Sequence, residues 1–200
     1  MSNFKSIKKA ITALLLSLSI LLLIPTTSFA AYSNSAAFFK SGLSASVVGD
    51  CYVFVSDSVS SYGYSTNVSN AKSGWGGISN ADVDFWSAGS ATNADIRVYA
   101  GNYGLDYAGL AQPYRGDSTV SDPDASTTKW DFVKIYLNDY YMDSNSYSTA
   151  NRNKTTIHEF GHALGLRHQT DTSVASIMRQ GKLTYSGPQS IDKSNIAYKY

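Results

Sequence analysis

Residues 158–168 read His-Glu-Phe-Gly-His-Ala-Leu-Gly-Leu-Arg-His and hold all three histidines of the 200-residue chain. They also hold its single glutamate; every other acid is an aspartate. On a helix, residues four apart share a face, so the imidazoles of His158 and His162 can point at one metal ion. Glu159 follows the first of them, and its carboxylate can reach the metal's outer sphere without being a ligand. Gly165 can take the left-handed conformation that ends a helix and turns the chain, which lets His168 come back to the same ion. Three neutral imidazoles leave one position open on a tetrahedral zinc. Water there has its pKa lowered toward ~7, and the ion can polarise a scissile carbonyl. Glu159 can take the water's proton as a general base and return it to a leaving amine as an acid. The spacing therefore implies amide hydrolysis with one catalytic Zn2+. A bare H-E-x-x-H also arises on helices whose histidines merely face solvent. The added glycine and third histidine make this pattern far more specific.

The elements that must position these residues are legible around them. A helix is expected from Thr149 to about Leu164. Trp130 to Leu137 alternates Phe132, Lys134 and Tyr136 with Val133, Ile135 and Leu137, the pattern of a half-buried strand. Cys51–Val59, Val83–Trp86 and Ala94–Ala100 also read as strands. Thr66–Ile78 reads as a helix with Val68, Ala71 and Trp75 on one side. Residues 115–128, and the Asp-, Ser- and Asn-rich stretch between Leu137 and Thr149, read as loops. Strands followed by a helix that bears the motif suggest an α+β domain.

The extended motif resembles that of the metzincin clan of zinc endopeptidases. The clan has a methionine turn beneath its metal, and Ser176-Ile177-Met178 stands at a fitting distance after His168. The resemblance implies that Met178 is an apolar floor under the histidines, not a ligand. Within the clan the chain is most similar to the matrixin branch, the matrix metalloprotease family. Ala94-Asp95-Ile96-Arg97-Val98 looks like that branch's strand above the cleft. Gly109-Leu110-Ala111-Gln112 looks like its edge strand, and Ser190–Ile196 like the start of its closing helix. The resemblance implies a twisted, mostly parallel sheet, a long active-site helix and a small C-terminal subdomain after Gly165. It also implies that Leu110, Ala111 and Gln112 pair with extended substrate, and that tyrosines such as Tyr185 line the neighbouring pocket. The chain departs from the branch in places. No histidine is left for a second, structural zinc. The cysteine-containing propeptide motif is missing, although Asp50 or Cys51 could in principle cap the metal. Gln169 follows the third histidine, and Gln180 stands where the astacin and serralysin branches place a tyrosine ligand.

The remainder bounds the setting. Lys5, Lys8 and Lys9 precede an apolar run from Ala10 to Ile24, with Pro25 and Ser28-Phe29-Ala30 after it. This is the layout of a secretory signal peptide over residues 1–30. The run is shorter than the ~20 residues a spanning helix needs. Residues 31–50 then form a short lead-in, and 51–200 the catalytic domain of a secreted protein. Removing three lysines and no acids from 16 basic and 15 acidic residues leaves 13 against 15. No basic stripe remains to meet nucleic acid, and no membrane contact is expected of the mature form. Its partner should be a protein or peptide substrate, met by a monomer. Cys51 has no partner for a disulfide and reads as a buried structural thiol. Asp106, Asp117, Asp122 and Asp124 could hold Ca2+, although such loop aspartates more often cap turns. Two rivals stand beside the peptidase reading: a zinc hydrolase acting on a cell-wall amide, and an exported zinc-binding or adhesion module without catalysis.

Overall fold

Apolar alternation in the chain becomes one six-stranded sheet: β1 (Cys51–Val55), β2 (Phe85–Ser87), β3 (Ile96–Gly101), β4 (Gly109–Arg115), β5 (Ser118–Thr119) and β6 (Phe132–Asn138). The computed structural model describes residues 33–104 and 106–200. The signal peptide expected over 1–30 lies outside the described residues. In space the strands run β2-β1-β3-β6-β4-β5. The first four are parallel, while β4 is antiparallel to β6 and β5 to β4. The helices are α1 (Ala45–Val48), α2 (Asp57–Ser61), α3 (Ser65–Gly76), α4 (Asp139–Ser144), α5 (Thr149–Ala163) and α6 (Ser190–Lys199). This is the mixed α and β architecture, with a mostly parallel sheet and a long motif-bearing helix, that the sequence implied.

One sheet face presents Val53, Ile96, Val98, Val133, Ile135 and Leu137, all buried. They join Val68, Ala71 and Trp75 of α3 and Ile157, Phe160 and Ala163 of α5 in a single core. Each fully buried side chain of this size contributes about 1.5–3 kcal/mol. Helix α3 packs along α5, and Trp75 Nε1 donates to Ile157 O at 2.9 Å, so the indole satisfies its one donor inside the core. The other sheet face carries half-buried aromatics in stacked pairs: Tyr99 on Tyr136 and Tyr114 on Phe132, with Arg97 lying over Phe132.

Helix α5 starts at a capping box: the Ser148 hydroxyl accepts from Asn151 N, and the Asn151 side chain accepts from Ser148 N. It ends where Gly165, at φ +87°, turns the chain. Gly165 N donates to His162 O at 2.8 Å and Leu166 N to Gly161 O at 3.0 Å, which satisfies carbonyls the last turn would leave bare.

Four segments differ from expectation. The strand from Cys51 stops at Val55, because the Ser56 hydroxyl accepts from Ser58 N at 3.3 Å and opens α2; Val59 is buried from a helix, not from a strand. The stretch after Leu137 is not simply a loop. Asn138 caps α4, Met142 of that helix is buried, and Arg152 bridges its Asp139 and Asp143. The loop 115–128 contains the short β5. Residues 33–50 place Ala37, Phe38, Leu43 and Val48 in the core, so the described lead-in is part of the folded body.

Candidate metal centre

Helix α5 carries Lys154, His158 and His162 at successive four-residue steps on one face. His158 Nδ1 lies 2.9 Å from Ile177 O and His162 Nδ1 lies 2.7 Å from Leu166 O. A carbonyl only accepts, so each Nδ1 carries the proton and each Nε2 turns its lone pair inward. A backbone carbonyl behind the imidazole is the usual way a metal-binding histidine is oriented. Beyond Gly165, His168 returns to place its Nε2 3.0 Å from His162 Nε2. The ligand atoms of the three histidines lie within 4.8 Å of one another. Nitrogens that share a tetrahedral zinc at ~2.0–2.1 Å sit roughly 3.3 Å apart, so this set fits one such ion. Burial, aided by the neighbouring imidazoles and Lys154, holds His158 and His168 below the usual histidine range and His162 down to about 3. All three are thus in the neutral form that binds metal.

The return of His168 depends on the lead-in. Phe39 N donates to Gly165 O at 2.9 Å and Arg167 N to Ala37 O at 2.8 Å, with Phe38 bridged antiparallel to Leu166. The Phe39 ring stands 6.1 Å from that of His162. Beneath the histidines lies the turn Ser176-Ile177-Met178, held by a buried carboxylate. Asp192 of α6 accepts from Ser176 Oγ at 2.5 Å, Ile177 N at 2.7 Å and Gln189 N at 2.8 Å. Gln169 N donates to Met178 O at 3.0 Å, which ties the turn to the residue after His168. Met178 is buried against Gly161, where a Cβ would overlap its sulfur. Glycine at 161 is therefore a packing requirement.

Glu159 is buried beside β4, where the Ala111 N–H favours its charged form. A Cβ on Gly109 would stand 2.7 Å from Glu159 Cγ, so this glycine makes room for the side chain. Burial pushes the carboxyl up to about 8, against the opposing pull of Lys154 and the Ala111 N–H. A cation at the histidines would draw it back down. Glu159 and the histidines open on a cleft of about 610 Å³. Leu110 and Ala111 line it, and there β4 has an open edge because β5 pairs only with Tyr114 and Arg115. Gln112 is not among the lining residues; its amide donates to Pro113 O and Val120 O and closes the β4–β5 hairpin.

Tyr185 packs against the core and does not line the cleft, which takes its tyrosines from positions 107, 141 and 147. Two of the aspartates considered for calcium have partners within the protein. Among the described residues, the histidines are the one group of three or more His, Cys, Asp or Glu side chains whose ligand atoms converge. Asp124 pairs with Arg167 and accepts from Lys40 N, and Asp122 caps its own turn through Asp124 N. Cys51 is fully buried at the start of β1, and burial raises its thiol pKa, as suits a structural residue; Asp50 is exposed. Sequence reasoning missed Phe39, Tyr141, Tyr147 and Lys154 in the cleft. Only Lys154 left a signal, its four-residue step before His158.

Residues 32–169 match the model of metallo-peptidase family M12B, reprolysin-like. That span exceeds half of the chain, and the chain belongs to this family. A metzincin-type zinc peptidase is thereby shown, while the matrixin branch suggested by the strands is not the one the match names. No curated protein matches the sequence. Among solved structures the chain is similar to the GM1-bound form of the ECX AB5 holotoxin, with 14% identity, 84% of this chain and 87% of that one covered, and a TM-score of 0.48. It is also similar to myroilysin, with 20% identity, coverages of 74% and 90%, and a TM-score of 0.41. No helix of the described residues is long and apolar enough to cross a membrane.

Proposed function

We propose that the protein is an exported zinc endopeptidase. His158, His162 and His168 hold the ion, Glu159 serves as general base and then acid, and Met178 packs beneath the ligands. The observation that carries this reading is the convergence of three inward-facing Nε2 atoms beside a buried carboxylate, in a cleft edged by an open strand. Zinc bound there supplies a Lewis acid and lowers the pKa of a water toward ~7. The exposed edge of β4 at Leu110 and Ala111 pairs with extended substrate backbone and lays a peptide bond across the histidines. Glu159 accepts the water's proton at a carboxylate oxygen and delivers it to the departing amine nitrogen. The Nδ1 bonds to Ile177 O and Leu166 O keep the imidazoles in the ligating tautomer throughout. Export rests on the charged, apolar and small-residue layout of residues 1–30.

The test uses protein recovered from the medium of an expressing host. Its amino terminus is sequenced, and it is offered casein, gelatin and cell-wall peptide in parallel. The reading expects a terminus near Ala31 and protein cleavage that a chelator stops and zinc restores. Cleavage confined to the cell-wall amide would replace the substrate class. Zinc binding with no hydrolysis of any substrate would favour a non-catalytic module.

A further inference from the structure

We propose that Lys154 is a specificity-determining residue that selects an acidic side chain in the substrate. This rests on the reading of the cleft as a peptidase site.

Lys154 is only 3% exposed, yet it lines the cleft together with Thr155, His158, Tyr147 and Gln180. It stands one helical step before His158 on the same face, and its Nζ is 3.4 Å from His158 Nδ1. That nitrogen already donates to Ile177 O, so it offers the ammonium no lone pair. Lys154 Nζ donates to Arg179 O, which uses one of its three protons. Among the described residues the ion pairs are Arg152 with Asp139 and Asp143 and Arg167 with Asp124; none includes Lys154. The acids that act on it most, Glu159 and Asp192, lie beyond ion-pair distance and are engaged elsewhere. Glu159 faces the Ala111 N–H, which favours its charged form, and Asp192 holds Ser176, Ile177 and Gln189.

A buried ammonium with no carboxylate within ion-pair distance is unfavourable, and an apolar residue would fill this helix position at no such cost. The arrangement is accounted for if a carboxylate arrives with the ligand. Charge-assisted bonds in a water-excluded cleft are the strong ones. A site built to bond a charged group also discriminates against an isostere that lacks the charge. Nζ lies on the Nδ1 side of His158, behind the inward-facing Nε2, so the carboxylate would belong to a substrate side chain that reaches past this imidazole from the cleft.

The test is calorimetric titration of the zinc-loaded exported protein with two peptide hydroxamates that differ only in carrying Glu or Gln beside the metal-binding group. Binding is read directly, so no turnover is needed. The wild type should bind the Glu compound about tenfold more tightly, the equivalent of ~1.4 kcal/mol. Lys154→Arg should keep that preference. Lys154→Met and Lys154→Gln, each checked for zinc content, should bind both compounds alike. Equal binding by the wild type, with zinc in place, would overturn the proposal and leave the metal centre standing; Lys154 would then be only a clamp on Arg179 O. Failure of both compounds to bind would overturn the metal-centre reading, and this proposal with it.

Discussion

Gly161→Ala sets helix propensity against packing at the floor of the metal centre. At an open helical position alanine is favoured over glycine by about 1 kcal/mol. Here the new Cβ would overlap Met178 Sδ, stand 2.9 Å from Trp75 Cζ2 and come within 3.2 Å of Met178 Cε. Trp75 is fully buried and pinned by its bond to Ile157 O, so Met178 must move. Overpacking of this kind costs about 1–3 kcal/mol, which outweighs the propensity gain over most of its range. The expected net is a loss of ~1 kcal/mol in urea unfolding of the metal-free protein. Movement of Met178 also shifts Ile177, whose carbonyl orients His158. Loss of such outer support weakens metal binding by about 10–100-fold, and a competitive zinc titration should show a drop at the low end of that range. Combining the change with Met178→Ala should restore part of the stability, a coupling of roughly 0.5–3 kcal/mol for residues in contact. If Gly161→Ala instead stabilises the protein by ~1 kcal/mol with zinc affinity unchanged, the packing argument is refuted.

Gly109→Ala should keep its zinc and lose at least ~10-fold in hydrolysis, because its Cβ would crowd Glu159 and a displaced general base forfeits part of the ~10²–10⁴-fold it contributes; unchanged kcat/KM would count against that position for Glu159. Asp192→Asn should destabilise by about 1–3 kcal/mol, since an amide cannot accept from Ser176, Ile177 and Gln189 together; denaturant melts decide it. Burial lowers Lys199 to about 8 from 10.5. Its unfolded form therefore holds more protons between those values, and its contribution to stability should rise with pH across that window. The wild-type pH slope there should exceed that of Lys199→Met, and equal slopes would contradict the assignment.

What the sequence made legible, and what it hid, follows from the range of the interactions. Helix α5 and strand β6 could be read because their patterns are local: a four-residue step and strict alternation. The three histidines could be grouped because Gly165 sits where the helix must turn. The role of residues 37–39 could not be read. Their partners at 165–167 lie more than a hundred positions away, and the segment has no periodicity of its own. Helix α4 was hidden because Asn138 and Asp139 are good helix starters and equally good loop residues. Its stability comes from buried Met142 and from Arg152, a residue of the next helix. The ion pair of Asp124, one of the aspartates considered for calcium, could not be read either, because its partner Arg167, beside His168 in sequence, lies far along the chain. The run 109–112 lies within β4, where Gln112 turns to its own hairpin while Leu110 and Ala111 line the cleft.

The most direct test of the central claim compares wild type with Glu159→Ala for zinc content by mass spectrometry and for casein cleavage. The account predicts about one zinc in each protein, as expected of a three-histidine site that does not use Glu159 as a ligand. It further predicts chelator-sensitive cleavage by the wild type alone. Absence of zinc from both, or equal cleavage by both, would contradict it.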